Sequence, residues 1–267
     1  MSWETWEWDE TLFEGCAPYY EQGRPPYAPA LADAIREALA LDGRGRLLDV
    51  GCGPGKVALL LANLFEEVVG LDPDRGMVAE AARLAAERGV MNASWVLERA
   101  EALPAGLGTF RVATFAASFH WMDRPKVARA VRGMLGPDGA AVQVDTAAYR
   151  SPVDETVEAV RVRYLGPDKR AGRSIRNTSP SGEDEVFQAA GFLPMEVVTV
   201  PDGRVIDRSV DDLVAQHLSS SSTAPHLFGD RLDHFVADVR SALLTANPSG
   251  RFPVTLPENH LRIWRLR

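Results

Sequence analysis

A glycine-rich loop between an apolar run and a helical pattern constrains this chain most. The segment "LLDVGCGPGK" covers residues 47–56 and places glycine at 51, 53 and 55. Alternating glycines let the backbone pass close to a ligand, and the N–H groups of the following helix point toward that ligand. A plain tight turn between a strand and a helix usually needs one glycine. The loop therefore predicts a ligand site at the carboxyl end of a strand.

Short apolar runs alternate with helical patterns around this loop. Strands are predicted over 46–50, 67–72, 94–98, 110–116, 140–146, 195–200 and 260–267, and helices over 27–41, 56–65, 74–88, 125–135, 152–163 and 183–192. A "GPDG" turn signal follows the fourth of these helices. Residues 164–182 are predicted as loop and 208–246 as a largely helical insert. This alternation indicates a Rossmann-like domain, with a parallel sheet covered by helices on both faces and a small helical cap.

The composition is that of an ordinary globular protein, with 46% apolar and 25% charged residues among 267 and a net charge of −8. No basic stripe is visible, which disfavours nucleic acid as a partner because phosphate contacts need Lys and Arg. The two cysteines, Cys16 and Cys52, form no disulfide framework, so a reducing compartment is expected. The N-terminal stretch lacks the pattern of a signal peptide, and no apolar run approaches the ~18 residues that span a bilayer. A cytoplasmic protein without a membrane partner is expected.

Residues around the glycine loop exclude two phosphate-binding motifs. A P-loop needs glycine at 50 and serine or threonine at 57, where the chain has Val50 and Val57. The dinucleotide fingerprint needs glycine where Lys56 stands. Asp49, two residues before the first glycine, would repel a pyrophosphate but suits a ligand with an ammonium group. A nicotinamide-dependent oxidoreductase is therefore disfavoured.

A second acid, Asp72, ends the predicted second strand, 21 residues after Gly51. A carboxylate at this point accepts hydrogen bonds from both hydroxyls of a ribose. The competing interpretation of Asp72 is a solvated acid in a turn. Together with the loop, Asp72 favours a ligand that contains a nucleoside.

With these residues the chain resembles the class I S-adenosylmethionine-dependent methyltransferases. The resemblance rests on the acid-x-G-x-G-x-G loop, on Asp72 and on the segment "SFHWMD" (118–123) after the fourth predicted strand. That segment is typical of a small-molecule group that includes trans-aconitate methyltransferase-like and many natural-product methyltransferases. The resemblance is good over 13–146 and looser over 183–200 and the last strand. It implies S-adenosylmethionine as cofactor and an α/β, doubly wound, mostly parallel seven-stranded sheet with an antiparallel last strand.

The resemblance also implies three parts of the chain. Residues 1–42 correspond to an N-terminal lid and helix, 43–146 to the cofactor-binding core, and 147–267 to the rest of the core with a substrate-cap insert around 208–246. In the lid, Tyr19 or Tyr20 would lie over the methionine end of the cofactor. Arg24 would pair with the cofactor's carboxylate through its fork of N–H donors, unless it is a surface residue before a proline turn. The aromatic "WETWEW" (3–8) is predicted to dock onto the body or onto a second subunit.

Positions that match the family's motifs supply the other cofactor contacts. Gly51 and Gly53 would pack against the methionine part, with Asp49 near its amino group, and Asp72 would hold the ribose. The implied contacts with the adenine and with the end of the fourth strand are Pro73, Met77, Ala100, Glu101, Ala117 and Ser118. Met77 has an alternative as a core residue, and Glu101 as a solvated helix start.

His120 stands where the cofactor's reactive group would meet a methyl acceptor. A hydroxyl, an acidic carbon or a protonated amine must lose a proton during methylation, and histidine has a suitable pKa. Three roles stay open for His120: catalytic base, a residue that lines the site without proton transfer, and a structural residue. Trp121 is expected to shape the pocket or to pack under the next helix.

The acceptor's binding groups are expected from the variable segments. Candidates are Tyr19, Trp121, and His217 and Ser220 of "HLSSSSTAPH", which can also be a flexible polar loop. No metal motif occurs. The sequence thus predicts a methyltransferase, monomeric or homodimeric, that acts on O, N or C of a small organic molecule such as a secondary metabolite or organic acid. The alternatives are a carrier-bound or quinone-like substrate, or a cofactor-binding protein without transferase activity.

Overall fold

The computed structural model describes residues 8–147, 153–175 and 181–266. Its α-helices are α1 (Ala17–Gly23), α2 (Leu31–Ala38), α3 (Lys56–Leu61), α4 (Arg75–Glu87), α5 (Arg124–Met134), α6 (Asp154–Leu165), α7 (Glu183–Ala189), α8 (Val210–Leu218) and α9 (Leu232–Ala246). Its strands are β1 (Arg46–Val50), β2 (Glu67–Asp72), β3 (Ala93–Leu97), β4 (Phe110–Ala116), β5 (Leu135–Thr146), β6 (Arg170–Ala171), β7 (Ser174–Ile175), β8 (Glu196–Val200), β9 (Val205–Ser209), β10 (Arg251–Thr255) and β11 (Asn259–Arg265).

Seven strands form one sheet in the order β3-β2-β1-β4-β5-β11-β8. Strand β1 pairs in parallel with β2 and β4, whereas β11 runs antiparallel to both β5 and β8. Leu47 packs in the apolar core on one face of the sheet and Leu48 in the core on the other. Burial on both faces explains why the strands are continuously apolar rather than alternating. The predicted seven-stranded, mostly parallel α/β fold with an antiparallel last strand is confirmed.

Most predicted elements lie within a few residues of their observed bounds. The helix predicted over 27–41 is shorter, because Pro29 disfavours helical backbone before it and α2 begins only at Leu31. Strand β5 begins at Leu135 rather than at residue 140. Phe110 pairs with Leu135 and Val112 with Ala140, so residues 136–139, the predicted "GPDG" turn, bulge out of a strand that has already begun.

The segment after β5 builds a second apolar core beside the sheet. Helices α6, α8 and α9 surround it, and the rings of Phe228 and Phe235 stack with centroids 4.1 Å apart. The predicted helical insert did not include the antiparallel pair of β9 and β10, which brackets α8 and α9. The predicted loop 164–182 contains the short hairpin of β6 and β7, and its residues 176–180 lie outside the described ranges.

The N-terminal segment docks against this second core through α1 and α8. A Cβ on Gly23 would lie 2.4 Å from Ala215 O and 2.6 Å from Gln216 N, so only glycine permits this approach. Arg208 Nη2 donates to Gly23 O at 2.8 Å and to Asp212 O at 2.8 Å. Helices α1 and α8 therefore form one continuous wall. None of the described helices has the length and apolar character needed to cross a membrane.

The glycine loop is supported from below by Trp95. A Cβ on Gly70 of β2 would lie 2.5 Å from the six-membered ring of Trp95, and one on Gly55 would lie 2.4 Å from its edge. Gly55 also has a φ of +77° where α3 begins. The third glycine of the loop thus accommodates an indole ring as well as a turn.

We expect Gly70→Ala to destabilise the protein, because the added methyl group overlaps the Trp95 ring. Overpacking of this kind costs about 1–3 kcal/mol, which lowers the Tm of a chain of this size by several degrees. Gly133→Ala in helix α5 is the matched control, since a Cβ added at this position meets nothing within 4 Å. Thermal unfolding followed by circular dichroism measures both; equal Tm values for the two variants would contradict the packing role of Gly70.

Candidate active site

A cavity of about 520 Å³ opens at the carboxyl ends of β1, β2, β4 and β5. Its walls include Gly51 and Gly53 after β1, Asp72 at the end of β2, and Ser118 after β4. In parallel sheets this edge, where the strand order reverses between β1 and β4, is the usual place for a ligand. The cavity is therefore the candidate active site.

The first two glycines of the loop differ in the space that surrounds them. Gly51 has a φ of +68°, and a Cβ there would lie 2.6 Å from Ser118 Cβ. Gly53 also has a positive φ, of +53°, but a Cβ would meet nothing within 4 Å. Ser118 Oγ donates to Val50 O at 2.6 Å and so fixes the wall opposite Gly51. The loop is thus closely packed at Gly51 and open toward the cavity at Gly53.

Asp72 is a buried carboxylate in the cavity wall. It accepts hydrogen bonds from Gly53 N at 2.8 Å and Asp74 N at 2.9 Å. Burial raises the pKa of Asp72 to about 7, and the two backbone hydrogen bonds oppose this rise. The structure therefore brings the glycine loop and this acid together.

Asp49 lies beneath the loop and is not part of the cavity lining. Thr114 Oγ1 donates to Asp49 Oδ1 at 2.8 Å, and Ala58 N donates to Oδ2 at 3.2 Å. Burial raises the pKa of Asp49 to about 6. Its carboxylate connects β1, β4 and α3, and its predicted position near the cofactor's amino group stays a prediction.

The four predicted adenine contacts, Pro73, Met77, Ala100 and Glu101, all line the cavity. Glu101 Oε1 accepts from Asp123 N at 2.8 Å, which connects the segment after β3 to the beginning of α5. Met77 packs with Cys16 and Ala17 in a small apolar cluster. Met77 thus belongs both to the core and to the cavity wall.

Tyr20 and Arg24 of the lid also line the cavity. The Arg24 guanidinium lies 5.0 Å from the centre of the Tyr20 ring, and Arg24 Nη2 donates to Ser219 O at 2.7 Å. Arg24 Nε is buried and has no hydrogen-bond partner among the described residues. Lys56 Nζ donates to the carbonyl oxygens of Arg24 and Pro25 at 2.8 and 2.7 Å. Sequence reasoning used Lys56 only to exclude a dinucleotide loop, yet this residue holds the lid to α3.

The segment after β4 places only some of its predicted residues in the cavity. Ala117, Ser118 and Trp121 line it, and Ala117 has a φ of +52°. His120 is not among the residues that line the cavity. It lies half-buried in a 3-10 turn, and the centroid of its ring is 4.9 Å from that of the Trp121 ring. Phe13 of the N-terminal segment meets Trp121 edge to face at 5.9 Å. The base role of His120 stays a prediction.

Three predicted acceptor contacts are not among the cavity-lining residues. Tyr19 packs against the core of α6, α8 and α9, Ser220 Oγ lies 3.3 Å from Ser222 Oγ, and burial lowers the pKa of His217. The lining contains instead Trp8, Tyr27, Asp145 and Gln216, which sequence reasoning missed as contacts. Asp145 could have been found, because it lies at the carboxyl end of a predicted strand. Trp3 and Trp6 lie outside the described residues.

Within residues 8–147, 153–175 and 181–266, no three His, Cys, Asp or Glu side chains are grouped to hold a metal ion.

Comparison with known proteins identifies the domain that carries this cavity. A family model described as "Methyltransferase domain" matches residues 47–139, from β1 into the bulge of β5. Residues 47–139 are therefore similar to a methyltransferase domain. The uncharacterized methyltransferase YcgJ of Bacillus subtilis is 37% identical over 146 residues, which are 54% of this chain and 55% of YcgJ. In sequence the chain thus spans about half the length of this relative.

Two further relatives have named substrates. The 27-O-demethylrifamycin SV methyltransferase of Amycolatopsis mediterranei is 31% identical over 166 residues, 60% of each chain. The malonyl-[acyl-carrier protein] O-methyltransferase of Enterobacter lignolyticus is 25% identical over 223 residues, 82% of this chain and 84% of its own.

Solved structures share the fold of the methyltransferase domain. The YcgJ crystal structure superposes with a TM-score of 0.53 and 23% identity over 88% of this chain and 97% of its own. The [4+2]-cyclase SpnF has a TM-score of 0.52 and 23% identity over 91% and 83%. A coclaurine N-methyltransferase bound to N-methylheliamine and SAH (S-adenosylhomocysteine) has a TM-score of 0.52 and 14% identity over 88% and 72%.

The cofactor of a class I methyltransferase domain is S-adenosylmethionine, and the cavity fits it in three respects. The loop is open at Gly53, where a Cβ would fill the space next to the ligand. Asp72 offers a carboxylate for ribose hydroxyls. Arg24 Nε is a buried donor without a partner among the described residues, as a site for a carboxylate requires.

The two buried acids make the stability of the cofactor-free protein depend on pH. Because burial raises the pKa of Asp49 to about 6 and that of Asp72 to about 7, the folded state binds more protons than the unfolded chain from about pH 4 to pH 7. Their contribution to the free energy of unfolding therefore falls as the pH rises through this window. We expect Asp72→Asn to reduce this fall in urea unfolding experiments at pH 5 and pH 8.

Asp138→Asn is the control for this measurement, because Asp138 is an exposed carboxylate on the β5 bulge. It should reproduce the pH dependence of the unmodified protein. A variant at Asp72 with the same pH dependence as this control would contradict the burial effect.

Proposed function

We propose that this protein is an S-adenosylmethionine-dependent methyltransferase that acts on O, N or C of a small organic molecule, such as a secondary metabolite or an organic acid. One observation carries the proposal: a single cavity combines the open glycine loop, the buried acid Asp72 and the unpartnered Arg24 Nε. These groups complement the methionine, ribose and carboxylate parts of one cofactor. The cavity also lies at the carboxyl edge of the sheet within the methyltransferase domain.

The bound cofactor supplies an electrophilic methyl group, and the protein aligns the donor and the acceptor for an in-line displacement. Arg24 would pair with the cofactor carboxylate, and Asp72 would accept hydrogen bonds from the ribose. The residues that would contact the adenine are Pro73, Met77, Ala100 and Glu101. Lys56 holds the lid, and Tyr20 of the lid would cover the methionine end and exclude water from the site.

An acceptor hydroxyl, acidic carbon or protonated amine must release a proton. His120 is our candidate base, because it lies in the chain between the cavity-lining residues Ser118 and Trp121. Asp145 is a second candidate, since its carboxylate already lines the cavity. Asp145 Oδ2 lies 3.0 Å from Arg262 Nε, and Gln143 Nε2 donates to Oδ1 at 3.0 Å, so the carboxylate has a fixed orientation.

The named relatives support both a free and a carrier-bound acceptor. The rifamycin methyltransferase favours a natural product. The malonyl-[acyl-carrier protein] methyltransferase is similar over 82% of this chain and favours a carrier-bound substrate. A quinone-like substrate is the other alternative in this class. A cofactor-binding protein without transferase activity is the third possibility, and the cyclase SpnF has the same fold.

Calorimetry with S-adenosylmethionine (SAM), SAH and NAD tests which cofactor the protein binds. We expect SAM and SAH to bind and NAD to give no heat, because the loop lacks the dinucleotide pattern. Asp72→Ala should weaken SAH binding by about tenfold or more, the value of a lost hydrogen bond to a charged group. Asp138→Ala is the matched control and should leave the affinity unchanged. Binding of NAD without a response to SAM or SAH would overturn the proposal.

Incubating the protein and an isotopically labelled methyl donor with small-molecule extracts or with acyl-carrier protein shows which kind of molecule accepts the methyl group. Label in a small molecule supports the proposal, and label in the carrier supports the carrier-bound alternative. SAH binding without any labelled product would favour the cofactor-binding protein.

With the labelled product as assay, His120→Ala tests the base. General-base catalysis contributes about 10²- to 10⁴-fold, so turnover should fall by that factor while SAH affinity stays constant. Asp145→Asn is measured in parallel. A His120 variant with full turnover would remove its base role, and a selective loss in the Asp145 variant would transfer that role to Asp145.

A further inference from the structure

Three buried polar atoms of cavity-lining residues have no hydrogen-bond partner among the described residues. They are the donor Arg24 Nε and the acceptors Gln216 Oε1 and Asp145 Oδ2, of which the last is ion-paired with Arg262 Nε at 3.0 Å. Buried polar atoms in folded proteins nearly always have a hydrogen-bond partner, so each of these requires an explanation. The proposed carboxylate contact explains Arg24 Nε, but nothing so far explains Gln216 Oε1.

The two residues come from backbone segments in direct contact. Gly23, which precedes Arg24, approaches α8 so closely that its Cβ would lie 2.6 Å from Gln216 N. Arg24 Nη2 also donates to Ser219 O, three residues after Gln216. Lys56 fixes the Arg24 carbonyl from the other side. Arg24 and Gln216 therefore enter the cavity as neighbours.

A neighbouring cationic donor and neutral acceptor complement an α-amino acid group. The carboxylate of such a group accepts from a guanidinium, and its ammonium donates to an amide oxygen. Asp49, the acid expected near the ammonium, is buried below the loop with both carboxylate oxygens engaged. Gln216 thus contributes an unpartnered acceptor oxygen to the cavity lining, whereas Asp49 does not line the cavity.

We propose that Gln216 binds the ammonium group of the cofactor's methionine part while Arg24 binds its carboxylate. The inference rests on the proposed function, because it takes S-adenosylmethionine as the ligand. Helix α8, which lies in the predicted substrate-cap insert, then contacts the cofactor. Gln216 is then a residue that selects a ligand with an intact amino acid end.

The test compares SAH with its deamino analogue, which lacks only the ammonium group. Calorimetry gives the ratio of the two affinities for the unmodified protein, for Gln216→Met and for Gln216→Ala. We expect the unmodified protein to prefer SAH, and both variants to reduce that preference by about 10- to 100-fold, as expected for a hydrogen bond to a charged group. Their affinity for the deamino analogue should stay within about twofold. The alanine variant, which favours helix formation, gives the same readout if the methionine variant fails to fold.

Gln188→Met is the matched control, because Gln188 is an exposed glutamine on α7; it should preserve the preference for SAH. An unchanged ratio in both Gln216 variants overturns the inference and assigns Gln216 to the methyl acceptor or to structure. Equal loss for both ligands also overturns it, since that result indicates a general distortion. An unmodified protein that binds neither ligand overturns the proposed function itself, which is a separate result.

Discussion

The carboxylate of Asp49 is the interaction on which the site's geometry depends. It is 1% exposed and joins three elements, since it extends from β1, accepts from a hydroxyl on β4 and accepts from an amide in the first turn of α3. A buried charge is tolerated only when its oxygens are hydrogen-bonded, and removing one partner typically costs several kcal/mol. The bonds thus set the start of α3 and the spacing of β1 and β4, the two parallel strands between which the strand order reverses. The glycine loop follows Asp49 directly.

Above this buried centre, the cavity is closed by segments remote in sequence. Lys56 holds the lid to α3, Arg208 holds it to α8, and Arg24 spans from the lid to Ser219. These cations bind carbonyl oxygens rather than carboxylates. Burial lowers the pKa of Lys56 to about 8, which reflects the cost of desolvating a charge whose partners are only dipoles.

The sheet could be predicted from the sequence because its signals are local. Apolar runs gave β1, β2 and β4 with their observed bounds, and the turn chemistry of glycine located the loop. Near this loop, Gly53 and Asp72 followed from their spacing along the chain and Met77 from the family resemblance, and all three line the cavity. The bulge in β5 could not be predicted, because pairing with β4 continues on both sides of it and a "GPDG" segment alone indicates only a turn.

Contacts between distant segments were not predictable in this way. Gln216 appears in sequence as one polar residue of a helix, and its place in the cavity depends on the approach of Gly23 to Ala215, nearly 200 residues away along the chain. His120 shows the opposite case. Its motif and position suggested chemistry, but the short 3-10 turn places its ring beside Trp121 and outside the cavity lining. Local spacing fixes where a backbone passes, whereas side-chain direction depends on tertiary packing.

The tight contact between α1 and α8 has a kinetic consequence. Because Gly23 leaves no space between the two helices and Arg208 bonds to both, α1 and α8 form a single rigid panel. A movement that uncovers the methionine end must carry α8 along with it, or must break those bonds. Under the proposed function, release of the used cofactor and release of the methylated product would both require this opening.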